Sequence, residues 1–122
     1  MSQKTLLIVD DSRLSRMLVR NFAIEVKPDW VLVEAESGDD ALVACEGKDI
    51  DVMTIDYNMP GMDGITLAVK LRPKYPEADI ALLTANIQSS IKRQAAEVGI
   101  DFIQKPITQE KIEKYLNESD SQ

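Results

Sequence analysis

The chain has 122 residues, 44% of them apolar and 29% charged, which suits one globular domain with one sizeable core. It contains no histidine, which removes Ser-His and Cys-His catalysis and the common zinc sites. Its formal net charge of −7 repels a phosphate backbone, so no nucleic-acid partner is expected.

Apolar strand-like runs alternate with helical patterns along the whole chain. The first predicted strand, TLLIV, ends at the adjacent acids Asp10 and Asp11. A helix follows from about Arg13 to Val26, with Ser12 as its N-cap and Leu14, Met17, Leu18 and Phe22 as its apolar face. WVLVEA is the second strand and leads into ESGDD, an ordinary helix start; the helix after Ser37 carries Ala41, Leu42 and Cys45. DVMTI is the third strand and leads into Asp56, in TIDYNMPGMDG, before a helix that follows Gly64 and ends near Pro73. DIALL leads into Thr84, and the next helix shows Ile87, Ile91, Ala95 and Val98 before a stop at Gly99. DFIQ leads into Lys105 and Pro106, and the last helix begins after Thr108 with Ile112, Tyr115 and Leu116.

Five strands and five helices in strict alternation predict an α/β fold: one doubly wound parallel sheet in a single domain over residues 1–122. The core is expected over about 4–117, with a polar, frayed tail NESDSQ. No apolar run is long enough to span a bilayer, so no membrane partner is expected. Cys45 is the one cysteine, which excludes an internal disulfide and fits a reducing cytoplasm; its helical pattern marks it as a small core residue rather than a nucleophile.

Ligands of such sheets bind at the carboxyl ends of the strands. Those ends carry Asp10 and Asp11, Asp56, Thr84 and Lys105. Taken singly, each has a plain reading. Paired aspartates supply charge to a helix N-terminus, Asp56 can be a turn residue, and a lone threonine or lysine is usually structural or solvated. Together they form a coherent set. Two carboxylates side by side repel each other, and a hard cation such as Mg²⁺ relieves that repulsion. Lys105 and the Thr84 hydroxyl can hold an anionic oxygen cluster such as a phosphoryl group. Asp56 can then act as nucleophile and form an acyl phosphate.

These residues resemble the receiver domain of response regulators, the CheY-like family of two-component signalling. VDDS, DYNMPGMDG, LLTA and KP occur in the family's order, and the likeness covers essentially the whole chain. The resemblance implies a flavodoxin-like sheet of order 2-1-3-4-5. Asp56 resembles the phosphoacceptor. Asp10, Asp11, Asp56 and the backbone carbonyl of Asn58 resemble the ligands of Mg²⁺, with Mn²⁺ as a substitute. Thr84 resembles the switch hydroxyl, Lys105 the lysine that pairs with the phosphoryl group, and Phe102 the switch aromatic. Asn58 and Asn86 stand where the family tunes phosphoryl lifetime. A cis peptide is implied between Lys105 and Pro106.

The implied function is a stand-alone phosphoprotein switch rather than an enzyme, whose only chemistry is phosphorylation from a donor and autodephosphorylation. The implied partners are a sensor histidine kinase or histidine-phosphotransfer domain, a downstream protein target of unknown identity, and a phosphatase. VDDSRLSR resembles the chemotaxis branch; a phosphorelay shuttle or phosphate sink is the alternative. A phosphorylation-independent interaction module is less well supported, because such modules lack one of the acids or the lysine. A flavodoxin-like cofactor binder or small hydrolase fares worse, since the first loop is not glycine-rich and no histidine exists. Independently of the family, Arg13, Arg16 and Arg20 recur at helical spacing. They are either a solvated face or a docking surface for an acidic partner.

Overall fold

The structure is a computed structural model that describes residues 3–85 and 88–121. Five strands, β1 (Thr5–Val9), β2 (Val31–Ala35), β3 (Val52–Asp56), β4 (Asp79–Thr84) and β5 (Asp101–Gln104), alternate with five helices. The helices are α1 (Arg13–Val26), α2 (Gly38–Ala44), α3 (Gly64–Leu71), α4 (Ser89–Val98) and α5 (Gln109–Asp120). All strand pairs are parallel and the order is β2-β1-β3-β4-β5. This is the predicted doubly wound fold, with its switch point between β1 and β3.

Alternate residues of the inner strands feed two cores. Leu7, Val9, Met53, Ile55, Ile80 and Leu82 face one side, where α2, α3 and α4 supply Ala41, Leu67, Leu71, Ile91 and Ala95. Leu6, Ile8, Val52, Ala81 and Leu83 face the other, joined by Ile103 of the edge strand β5, against Val19 and Ala23 of α1 and Ile112 and Leu116 of α5. Burial on both faces explains why β1 and β4 read as continuous apolar runs. β2 differs because it is an edge strand: Val31 is exposed.

Side chains start the helices as their sequences require. Ser12, Ser37, Asp63 and Thr108 each accept a hydrogen bond from the backbone N–H three residues on. Gly99 ends α4 at φ +75°, a conformation that favours glycine.

Two expectations are corrected. Leu14 and Met17 are not on the core face of α1 but are 67% and 46% exposed, while Val19 and Ala23 are buried. The helix turns the stripe of Val19, Phe22 and Ala23 onto the sheet and α5, which leaves Leu14 and Met17 facing out. The C-terminal tail is not frayed through its length: α5 continues to Asp120, with Ser119 buried. Two lysines clamp it, Lys4 Nζ donating to the Ser119 carbonyl at 2.8 Å and Lys27 Nζ pairing with Asp120 Oδ2 at 2.7 Å. Ile87, predicted on the fourth helix, lies outside the described residues. Among the described residues, no helix is long and apolar enough to cross a membrane.

Candidate metal and phosphoryl site

The topology brings the carboxyl ends of β1, β3, β4 and β5 to one edge. Asp56 is the last residue of β3 and Thr84 the last of β4, and both are buried. Tyr57 N–H donates to the Leu83 carbonyl at 2.9 Å, and Lys105 N–H to the Thr84 carbonyl at 2.9 Å. These two bonds lock the strand ends side by side. Asp10 follows β1 and is buried, whereas Asp11 is exposed.

A carboxylate oxygen from each of Asp10, Asp11 and Asp56 lies within 4.8 Å of the others. Lys105 Nζ forms an ion pair with Asp56 Oδ1 at 2.8 Å. Beyond that ion pair Oδ1 has no hydrogen-bond partner, and the buried Asp10 Oδ2 has none either. Burial pushes the Asp10 carboxyl up to about 6, against the pull of the Ser12 N–H and with a smaller push from Asp56. Burial also holds Asp56 above the usual carboxylate range, opposed by Lys105 and reinforced by Asp11. Three converging acids, two of them buried and one with a wholly unpartnered oxygen, are the donor set of a hard divalent cation, so the residues present fit Mg²⁺.

The remaining expected residues take varied positions. Asn58 is exposed in the loop after β3. Phe102, on β5, is half-buried and packs against the α3–α4 side of the core. The Lys105–Pro106 peptide is cis. Asn86 lies outside the described residues. The arginines do not form one open stripe. Arg13 is exposed, but Arg16 is turned inward with its side chain 15% exposed. Glu34, on the neighbouring β2, pairs with both Arg16 and Arg20 and neutralises that part of the face.

Three residues near the site escape a reading of the sequence. Lys111 Nζ donates to the carbonyls of Gln104 and Pro106, at 2.8 and 3.1 Å, and so brackets the main chain of Lys105. Glu34 is signalled only as a lone charge inside an apolar run. Gly64 packs directly on the main chain after Asp56, and nothing in DGIT distinguishes that role from helix punctuation.

Residues 6–117 match the response regulator receiver domain. The chain belongs to that family. Among curated relatives it is 31% identical over 115 residues to the chemotaxis protein CheY of Bacillus subtilis, covering 93% of this chain and 95% of that protein. It is 36% identical over 105 residues to the cyclic di-GMP phosphodiesterase response regulator RpfG of Xanthomonas campestris, but spans only 28% of that protein's length. The structure of chemotaxis protein CheY4 of Vibrio cholerae superposes with a TM-score of 0.89 at 26% identity, covering 97% of this chain and 99% of the other. Receiver domains bind Mg²⁺ and are phosphorylated by histidine kinases or phosphotransfer proteins. The role of this chain is therefore that of a response-regulator signalling domain.

Proposed function

We propose that Asp56 is the phosphoacceptor of a Mg²⁺-dependent switch. One observation carries this reading: a buried carboxylate at a strand end faces a lysine on one side and two further acids on the other. No purely structural ion pair needs the second and third acids. Asp56 attacks the phosphorus of a phosphohistidine donor; the Oδ–P bond forms as the donor's N–P bond breaks, and the phosphoryl group passes whole. Lys105, already 2.8 Å from Asp56 Oδ1, shifts its charge onto the arriving phosphoryl oxygens. Thr84, at the end of the adjacent strand, supplies a hydroxyl to the same group, and Phe102 follows it inward and reshapes the face around β5. Asp10, Asp11, Asp56 and the Asn58 carbonyl would hold Mg²⁺, which would supply positive charge against that of the acids and the phosphoryl oxygens. Mn²⁺ fits the same oxygen set.

Incubation with Mg²⁺ and acetyl phosphate, followed by intact mass measurement, tests this. Wild type is expected to take up one phosphoryl group and Asp56→Asn none. A beryllofluoride mimic is expected to shift amide resonances of wild type only. A wild type that stays unlabelled and spectrally unchanged returns the chain to the class of phosphorylation-independent interaction modules.

The proposed setting is chemotaxis-type signalling in the cytoplasm, supported by relatives of that name that match along nearly their whole length. A phosphorelay shuttle or a phosphate sink shares the same chemistry and differs in partner. The donor, a histidine kinase or phosphotransfer domain, is proposed to dock on the first turns of α1, beside Asp11, where Arg13, Leu14 and Met17 are exposed. A phosphatase is proposed to use the same ground. Arg13→Glu combined with Leu14→Ser is expected to slow transfer from the donor about tenfold, equivalent to a typical interface residue, while acetyl phosphate labelling is unchanged. Equal loss with both donors would place the defect in the pocket instead.

A further inference from the structure

We infer that Arg16 is a positioning residue for the cation site: it tethers the main chain of Asp10 so that the one free oxygen of that carboxylate is presented to the ion. This rests on the Mg²⁺-dependent reading above.

Asp10 has four polar groups, and three are committed. Its N–H donates to the Ala35 carbonyl at 3.1 Å. Its Oδ1 accepts from the Ser12 N–H at 2.9 Å. Its carbonyl accepts from Arg16 Nη1 at 2.7 Å. Only Oδ2 is left, buried and without a hydrogen bond. Two neighbouring acids repel this carboxylate, and the chain is just leaving β1, where a single ladder bond, from the Asp10 N–H to Ala35, still holds it. With that bond alone, the peptide after Asp10 could rotate and turn the carboxylate away from Asp11 and Asp56. The Arg16 bond to the Asp10 carbonyl holds that peptide in place.

Arginine suits this task because its planar fork serves two partners at once. While Nη1 holds the Asp10 carbonyl, Nε stands 3.6 Å from Glu34 Oε1. Arg20 Nη1 holds the other oxygen of Glu34 at 3.0 Å. Glu34 thus fixes the guanidinium from the edge strand, and Arg20 fixes Glu34. Groups behind metal ligands act this way generally, by orienting the ligand before the ion arrives.

A simple charge effect predicts the opposite sign. Removing a cation near a cation site should tighten Mg²⁺ binding, whereas losing a tether should weaken it. The test measures Mn²⁺ binding to the unphosphorylated protein by water-proton relaxation, with Mg²⁺ as competitor. Thermal unfolding in EDTA runs in parallel. Arg16→Met is expected to weaken both ions about tenfold, at the low end for an orienting group. Arg16→Lys keeps the charge but loses the fork, and is expected to fall between, about threefold weaker. Unchanged or tighter binding in Arg16→Met overturns the inference and leaves Arg16 as a helix-to-sheet clasp. If Arg16→Met does not fold in EDTA, Arg16→Lys decides: weaker binding supports the tether and wild-type binding overturns it. A wild type that takes up neither ion removes both this inference and the reading beneath it. A wild type that binds beside an unaffected variant removes only the inference.

Discussion

Alanine at Gly64 is expected to destabilise the fold by about 3 kcal/mol, at the upper end for overpacking, and to impair phosphorylation with it. A Cβ there would lie 2.5 Å from the Asp56 carbonyl oxygen, 2.8 Å from Leu82 Cδ1 and 2.9 Å from Tyr57 Cα. Two of those atoms are main chain and cannot rotate aside. Gly64 N–H also donates to the Tyr57 carbonyl at 2.9 Å, so the start of α3 is pinned to the residue that follows Asp56. Relief requires α3 to lift from the end of β3, which breaks that bond and moves Asp56 relative to Lys105. Gly61 makes a useful contrast. It has φ +79°, and a Cβ added there would meet nothing within 4 Å, so alanine carries only the left-handed backbone penalty, about 1 kcal/mol. Urea unfolding of both variants measures the difference. Equal losses for the two would show that α3 is not seated as tightly on Asp56 as these distances require.

The same close approach shows where sequence reading stops. Periodicity identifies all five strands and all five helices, because each inner strand is covered on both faces and its apolar run is nearly continuous, broken in β3 only by the buried Thr54. Ser12, Ser37, Thr108 and Gly99 are legible as helix ends because capping is local chemistry. The pattern sets the third helix after Gly64, whereas the fold caps it with Asp63 and includes Gly64; both residues punctuate helices, and only the packing tells them apart. Leu14 and Met17 mislead for a related reason. An apolar residue on a helix is ambiguous until the angle of that helix on the sheet is known, and two apolar stripes compete on α1.

The cluster of acids is legible because a doubly wound sheet converts four separate strand ends into one place. Its supports are not. Glu34 and Arg16 meet only because β2 pairs with β1 in the register that sets Glu34 beside Ile8. Lys111 reads as a solvated helix residue until the turn after β5 brings the Gln104 and Pro106 carbonyls under it. Such contacts depend on the tertiary path of main-chain atoms, which residue types do not encode.

Asp10→Asn is expected to stabilise the protein by about 2 to 3 kcal/mol at pH 7.5 in EDTA while abolishing tight cation binding. The Asp10 carboxyl titrates at about 6 in the folded chain against 3.8 for an unburdened group. Between those values the native state keeps a proton that the unfolded state has released. The native state therefore binds more protons, and stability falls as pH rises from about 4 to 6. Above 6 the whole penalty is present, roughly 3 kcal/mol for a shift of this size, most of it from burial of the charge and a smaller part from repulsion by Asp56 and Asp11. Asparagine removes the charge and keeps an oxygen for the Ser12 N–H, so the variant should gain little at pH 4 and most above pH 6. Saturating Mg²⁺ should reverse the ranking, since binding to the native state stabilises wild type and the variant has lost a ligand. Urea unfolding at pH 4 and 7.5, with EDTA or Mg²⁺, reads all four cases. A variant no more stable than wild type at pH 7.5 in EDTA would mean that the acids are relaxed without a cation. The predicted crossing of the two curves would instead show that the fold holds this pocket in an electrostatically strained form that a cation relieves.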